Sequence, residues 1–301
     1  MIALAIAFAV LGALCSALGA QLQHQGVRSE TKDSQLGLRT IGRLVHNRRW
    51  LLGVAVLTAC AMLQILALAL APVTIVAPIV VLALPAVAIL NARWTGERLD
   101  MTATVAVLAS TVGVALFVAL ASGRATAVEF PPSAVLLACQ IIAGAVVLFG
   151  VVGALREGIV RCAVLATGAG AAYGLVSVLV RDVTYTFQTE GFRSVAPLSA
   201  TALVVAFAIG SWYIQLAYAS GPPDIVVGCQ TVLSPLVATA IAIGLLDETA
   251  NAGGIIGLGM VAAALVAVFG VVLLARHHPE ATSRATPHSA EHRLFRAGTR
   301  R

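Results

Sequence analysis

The sequence predicts an all-α polytopic membrane protein with about nine transmembrane helices. Of the 301 residues, 59% are apolar and only 11% are charged, whereas soluble domains carry roughly 25% charged residues. A water-soluble fold could not bury this much apolar surface, so the composition indicates a chain that crosses a membrane repeatedly. The net charge of +6 comes from basic loops and a basic tail. We therefore expect no nucleic-acid partner.

Nine apolar stretches are long enough to cross a bilayer, which takes about 20 residues per helix. In order, these spans 1 to 9 are 2–20, 50–70, 73–91, 102–121, 133–153, 162–180, 197–218, 225–246 and 252–275, and none contains Asp, Glu, Lys or Arg. An unpaired backbone group in hydrocarbon costs several kcal/mol, and a helix pairs its own backbone groups. Each span is therefore predicted to be a helix.

The positions of Lys and Arg predict the orientation of these spans. Sixteen of the 19 basic residues lie after spans 1, 3, 5 and 9, and only Arg124, Arg181 and Arg193 lie on the other side. The positive-inside rule then places the N-terminus outside and the C-terminus in the cytoplasm. Arginine outnumbers lysine 18 to 1, which is typical of a GC-rich bacterium, so we expect the bacterial plasma (inner) membrane. The loop at 21–49 is expected to be a solvated connection, and the alternative is that part of it is helical at the membrane surface.

Two stretches about 150 residues apart share a pattern of prolines and acidic residues. Each has two prolines thirteen residues apart and a glutamate twelve or thirteen residues later: Pro72, Pro85 and Glu97, then Pro222, Pro235 and Glu248. With span 5 between them, the two sets of four spans form a predicted inverted 4+1+4 repeat, an architecture of secondary transporters. The alternative is that helices rich in Ala, Val and Leu resemble one another by composition.

This repeat predicts the organisation of the chain. The first repeat covers residues 1–121, a linker helix lies within 122–161, the second repeat covers 162–275, and a basic cytoplasmic tail occupies 276–301.

Polar residues inside the spans are candidates for a substrate cavity, because burying them in lipid is costly. In span 8, Asp224, Gly228, Thr231 and Pro235 share one helical face. The candidate cavity-lining residues are Gln64, Thr74, Tyr173, Ser177, Trp212, Gln215, Tyr218, Asp224, Gln230 and Thr231. Interhelical hydrogen bonding, or an aromatic belt at the membrane surface, is the alternative explanation for such residues.

Three prolines are candidate hinges, because proline frees a carbonyl one turn back along a helix: Pro78, Pro85 and Pro235. A purely structural kink is the alternative. The chain has no P-loop, no HExxH and no nucleophile elbow, so we expect no enzyme activity and no cofactor. The five cysteines lack CxxC spacing, and we expect no metal site.

Several short motifs of the chain resemble those of a known superfamily. The run Ala71-Pro72-Val73-Thr74-Ile75-Val76-Ala77-Pro78, followed by Gly96-Glu97-Arg98-Leu99 and Gly113-Val114, resembles the drug/metabolite transporter (DMT) superfamily, closest to its NIPA-like and EamA-like members. The resemblance covers roughly residues 1–275. It implies a secondary transporter of a small metabolite or drug-like solute that works by alternating access.

The departures from this resemblance leave two alternatives open. Span 1 lacks the membrane-embedded Glu of small multidrug transporters, so their proton-exchange scheme does not carry over. A magnesium or divalent-cation transporter of NIPA type is the first alternative, although only Asp224 offers a carboxylate near a span. The second is a non-transporting scaffold or accessory subunit.

The expected partners are membrane lipid and a small-molecule or ion substrate. Glycines spaced four apart, at Gly170 and Gly174 and at Gly253 and Gly257, allow close helix contact. Span 4 or span 9 could therefore form a homodimer face, and packing within one chain explains the pattern equally well.

Overall fold

The chain folds into a bundle of apolar helices. A computed structural model describes residues 2–30, 42–70, 83–96, 101–122, 131–191, 196–246 and 254–277. Its helices are α1 (Ile2–Glu30), α2 (Arg48–Leu70), α3 (Ala83–Thr95), α4 (Met101–Ser122), α5 (Pro132–Leu155), α6 (Gly158–Glu190), α7 (Pro197–Ser220), α8 (Pro223–Leu246) and α9 (Gly254–His277). No strand occurs within these ranges.

Eight of these helices are long and apolar enough to cross a membrane. The protein is therefore an all-helical, multi-pass membrane protein, as its composition predicts. Helix α3 is the exception, because only 13 of its residues are described. Residues 71–82, which precede it, are not described. Span 3 is thus confirmed as a helix only from Ala83 onward. Thr74 and Pro78 lie outside the described residues, as does the tail from residue 278.

Two helices extend beyond the spans that hydropathy predicts. Helix α1 continues to Glu30 rather than stopping near residue 20, and α6 runs from Gly158 to Glu190 rather than from 162 to 180. Residues 21–30 therefore belong to α1, as in the partly helical alternative, and not to a solvated loop. Gln21, Gln23 and Val27 are buried against other helices. Hydropathy detects where a helix stops being apolar, whereas the helix itself ends only where its backbone pairing ends.

Glycines on α1 set its close contact with α2. Gly12, Gly19 and Gly26 are seven residues apart, and each faces α2. A Cβ on Gly26 would lie 2.7 Å from the Cβ of Trp50, and one on Gly53 of α2 would lie 2.9 Å from the backbone nitrogen of Gln23. Small residues allow helix backbones to approach this closely inside a membrane. The residues that follow Gly19 on α1 are thereby held against the start of α2.

Helix α6 forms the other close-packed centre of the bundle, in contact with α5, α7 and α8. Gly170 and Gly174 of α6 face Leu233 and Val237 of α8, and a Cβ on either glycine would lie 2.7 Å from the opposing side chain. This confirms the close helix contact predicted for that pair. A Cβ added at Gly257 would meet no atom of another described helix within 4 Å, and Gly253 lies outside the described residues.

Helices α4 and α9 pack along each other within the chain. Gly113 of α4 approaches the backbone of Ala263 and Ala267 of α9, while Gly270 of α9 approaches Ser110. Their opposite faces expose large apolar side chains, among them Leu108, Val112, Leu265 and Phe269. The small-residue faces of these two helices are thus used for packing within the chain, and a homodimer stays a prediction.

Candidate functional site

Polar side chains collect at one end of the bundle, where α1, α3 and α7 end and α2 and α8 begin. We call this set the polar junction. Its members are Gln21, Gln23, His24, Arg28, Trp50, Asn91, Gln215, Tyr218 and Asp224. Helices that alternate in direction bring these termini to one end, although their residues are far apart in sequence.

A carboxylate and two amides link α8, α3 and α1. The Asn91 Nδ2 group donates to Asp224 Oδ1 at 3.4 Å, and Gln21 Nε2 donates to Asn91 Oδ1 at 3.5 Å. Asp224 and Gln21 are each only 3% exposed. The NH2 group of Asn91 thus faces Asp224, and its oxygen faces Gln21. This order leaves Gln21 Oε1 at the open end, where it is buried and has no hydrogen-bond partner.

A second chain of hydrogen bonds links α2, α7 and α1. Trp50 Nε1 donates to Gln215 Oε1 at 3.1 Å, and Gln215 Nε2 donates to Gln23 Oε1 at 3.0 Å. An indole N–H only donates, so the orientation of the Gln215 amide follows from Trp50. These bonds are shorter than those of the Asp224 chain and involve no charged group. They tie the start of α2 and the end of α1 to the end of α7.

His24 sits among the charged members of the junction. Arg28 Nε donates to His24 Nε2 at 3.5 Å, and the His24 ring meets the Tyr218 ring edge-on with centroids 6.0 Å apart. Asp224 is close enough to interact electrostatically with His24. Because an arginine Nε always carries its hydrogen, His24 Nε2 must accept, and the imidazole proton resides on Nδ1. The Gly221 backbone lies close enough to the His24 ring to hydrogen-bond it.

Three of the predicted cavity residues, Gln215, Tyr218 and Asp224, come together in the polar junction. The predicted polar face of α8 turns toward α3 at its start, because Asp224 bonds Asn91 and a Cβ on Gly228 would lie 3.3 Å from Leu84. Pro85 follows Leu84 near the described start of α3, and Pro235 lies inside α8. Their role as hinges stays a prediction.

Tyr173 belongs to a separate contact between α6 and α7. Its hydroxyl lies 2.9 Å from Ser211 Oγ, and its ring meets Phe207 edge-on at 5.9 Å. Ser177, predicted to line a cavity beside Tyr173, is exposed and donates to the Tyr173 backbone oxygen at 2.9 Å. A role for Ser177 in lining a cavity stays a prediction.

The remaining predicted residues do not join the junction. Gln64 donates to Cys60 Sγ at 3.5 Å and packs beside Gly12, so it lies at the α1–α2 contact, and its role in lining a cavity stays a prediction. Trp212, Gln230 and Thr231 are half-buried, and none of them hydrogen-bonds a member of the junction. Their residue types suit a cavity wall, but the rotation of each helix decides which side chains meet.

Sequence reasoning missed the part of the junction that α1, α2 and α3 contribute: Gln21, Gln23, His24, Arg28, Trp50 and Asn91. One signal was present. Gln21, His24 and Arg28 follow i, i+3, i+7 spacing, and the seven-residue glycine repeat passes residue 20 to reach Gly26. Both patterns indicate that the helix continues after its apolar part ends.

Within the described residues, no group of three or more His, Cys, Asp or Glu side chains could hold a metal ion. No family model matches the chain, and no solved structure matches it. The chain is 24% identical over 277 residues to an uncharacterized protein of Corynebacterium glutamicum, covering 91% of this chain and 95% of that protein. The similarity therefore extends over nearly the whole length of both proteins. The name of the relative assigns it no activity.

The Tyr173 contact yields a first prediction. Tyr173→Phe removes the hydroxyl that bonds Ser211 and keeps the ring that packs on Phe207. We expect the free energy of unfolding to fall by about 0.5–1.5 kcal/mol, the net value of one hydrogen bond. Thermal unfolding in detergent measures it. Ser177→Ala is the matched control, because its exposed hydroxyl bonds only its own helix. Equal midpoints for the two variants would contradict the assigned contact.

Proposed function

We propose that this protein is a secondary transporter of DMT type that moves a small solute across the bacterial plasma membrane by alternating access. The polar junction is the observation that carries this proposal. It lies between helices of the first half (α1–α4) and of the second half (α6–α9), in an otherwise apolar bundle. Polar and charged groups inside a membrane bundle are costly and mark substrate or ion pathways.

The pairing of helices supports an inverted repeat as the framework of this transporter. Helix α1 packs on α2 and α3, as α6 packs on α7 and α8, and α3 contacts α4 as α8 contacts α9. Equivalent helices also meet across the halves, α3 with α8 and α4 with α9. A twofold axis in the membrane plane produces both features. Transporters with this symmetry bind their substrate at the interface between the repeats.

The positive-inside rule assigns the junction to the cytoplasmic side, since Arg28, Arg48 and Arg49 flank it. Three of its hydrogen bonds join the halves: Trp50 to Gln215, Gln215 to Gln23, and Asn91 to Asp224. In this proposal they hold the cytoplasmic end closed, and breaking them opens it. The long α4–α9 contact serves as the pivot, and Pro235 allows α8 to bend.

The direct test uses the purified protein in liposomes loaded with an aqueous metabolite extract from bacterial cells. Mass spectrometry of the outer medium is expected to show at least one compound that leaves protein-containing liposomes faster than empty ones. Release of no compound by correctly folded protein, in either membrane orientation, would overturn the proposal. Flux of Mg²⁺ alone, followed with an indicator dye, would select the divalent-cation alternative. Stoichiometric co-purification with another membrane protein, without flux, would select the scaffold.

A cross-link between the halves tests alternating access. In a variant without native cysteines, Gln23→Cys with Gln215→Cys places one thiol on each of two residues whose side-chain ends now meet at 3.0 Å. Bridging these thiols with Hg²⁺ is expected to lower flux at least about tenfold, and dithiothreitol is expected to restore it, because a locked end cannot open.

A matched thiol pair within one half serves as the control for this cross-link. Asp182→Cys with Ser199→Cys joins α6 to α7, both in the second half, where the two side chains meet at 2.7 Å. Bridging this pair is expected to leave flux unchanged. Full flux through a completely bridged Gln23–Gln215 pair would refute closure at the junction.

A further inference from the structure

Asn47, which directly precedes α2, joins the end of α1 to the start of α2 through both ends of its side-chain amide. Its Oδ1 accepts from the backbone N–H groups of Arg49 at 3.0 Å and Trp50 at 3.2 Å. Its Nδ2 donates to Ser29 Oγ and to Glu30 Oε1, each at 3.0 Å. A primary amide has two N–H donors and one oxygen, so the whole group is engaged.

These bonds make Asn47 the N-cap residue of α2. The first four backbone N–H groups of a helix have no partner inside it, and an asparagine at the N-cap accepts from the second or third of them. Asn47 accepts from both. The N-cap residues of α5, α6 and α7 make no such side-chain bond. The cap on α2 therefore sets it apart from those three helices.

Trp50 is the residue that this cap fixes, and it is held at three points. Asn47 accepts from its backbone N–H. A Cβ on Gly26 would lie 2.7 Å from Trp50 Cβ and 2.9 Å from its backbone nitrogen, so the α1 backbone supports it from the side. Its indole Nε1 donates to Gln215 Oε1 in the second half at 3.1 Å. Because Gln215 also donates to Gln23, the bonds that leave the end of α1 at Asn47 return to α1 through the second half.

We propose that Asn47 is a positioning residue that holds the cytoplasmic end of the transporter closed through Trp50. The bond between Trp50 and Gln215 joins the two halves only while the first turn of α2 stays wound against α1. Removing an N-cap asparagine shifts the equilibrium of the turn it caps by roughly fivefold. This inference rests on the proposed function and adds a residue outside the polar junction that controls its closure.

A buried thiol at the same end of the bundle reports opening. In a variant without native cysteines, Ser220→Cys places it at the end of α7, where Ser220 is 3% exposed. Asn47→Ala is expected to raise the rate at which a membrane-impermeant maleimide labels this thiol about fivefold, in purified protein in detergent. Thr58→Ala is the matched control and is expected to leave the rate unchanged. The Thr58 hydroxyl is exposed and donates to a backbone oxygen of its own helix, α2, at 3.0 Å.

A double-mutant cycle tests whether Asn47 acts through Trp50. Trp50→Phe keeps an aromatic ring and removes the indole N–H that Gln215 accepts. In this background Asn47→Ala is expected to raise the labelling rate less than about twofold, because the bond that it would weaken is already absent. Effects on independent sites multiply, whereas effects within one network do not. An equal fivefold increase in both backgrounds would overturn the proposal, since it would show a cap with only a general stabilising role.

Two further measurements separate a local effect from general loosening. Serine caps a helix about as well as asparagine, so Asn47→Ser is expected to label within about twofold of wild type. Labelling as fast as that of Asn47→Ala would contradict capping as the cause. Ser199→Cys provides a second thiol at the opposite end of α7, where Ser199 is also 3% exposed. Asn47→Ala is expected not to accelerate its labelling, and faster labelling of both thiols would overturn the proposal.

Flux distinguishes failure of this inference from failure of the proposed function. Release of a compound by wild-type protein, together with unchanged labelling in Asn47→Ala, would overturn the inference and leave transport standing. The expected labelling pattern without any release by wild-type protein would count against transport and leave the hold of Asn47 on Trp50 standing.

Discussion

Replacing Gly113 with alanine will destabilise the bundle strongly. A Cβ at this position would lie 2.6 Å from the backbone nitrogen of Ala267 and 2.9 Å from the carbonyl oxygen of Ala263. These are backbone atoms of α9, so no side chain can rotate away to make room. Helices α4 and α9 would have to separate along the whole contact, which also includes Gly270 against Ser110. Overpacking of this kind costs about 1–3 kcal/mol.

Gly144→Ala provides the control for Gly113→Ala. Gly144 lies inside α5, and a Cβ there would meet nothing within 4 Å. Alanine forms helix better than glycine by about 1 kcal/mol, so this variant is expected to be neutral or slightly more stable. Thermal unfolding in detergent, followed by tryptophan fluorescence, compares the two. A Gly113→Ala protein as stable as Gly144→Ala would show that α4 and α9 do not pack this closely.

Asn91→Leu is expected to have the largest combined effect on stability and transport. Asn91 is 6% exposed and lies between Asp224 and Gln21. Leucine has a similar size but leaves Asp224 Oδ1 without that donor and Gln21 Nε2 without that acceptor. Loss of a hydrogen bond to a charged group costs about 1.5–3 kcal/mol. We expect a loss of that size in the free energy of unfolding and, under the proposed function, a loss of flux.

A double-mutant cycle with Asp224→Leu isolates this interaction. Residues in one hydrogen-bonded network couple by about 0.5–3 kcal/mol, and removing both partners of a buried polar pair costs less than the two single losses added together. Thr111→Val is the control, because its buried hydroxyl bonds Val107 O of its own helix at 2.7 Å. Strict additivity of Asn91→Leu and Asp224→Leu would mean that the two side chains do not act as a pair.

Three of the nine members of the polar junction could be inferred from residue type and helical position. Gln215, Tyr218 and Asp224 stand out because polar groups within or beside apolar spans require a partner. The same reasoning also selected Gln64 and Ser177, which bond within their own helices. Residue type alone does not distinguish a polar group that faces another helix from one that bonds its own helix. The missed residues Gln21 and His24 lie just beyond the apolar part of α1, where hydropathy no longer indicates that the helix continues.

The sequence by itself determined the class of the protein and the eight helices that are long and apolar enough to cross a membrane. Backbone groups in lipid must pair within each segment, so an apolar run of sufficient length has one structural solution, independent of its neighbours. Only the tertiary structure decided which polar groups meet. Gln23 and Gln215 are 192 residues apart and touch because Gly19, Gly26 and Gly53 let α1 and α2 approach closely, which sets the depth and rotation of α1. Such contacts depend on the distance between helix backbones to within a fraction of an ångström. The residue pattern of a single helix does not predict that distance.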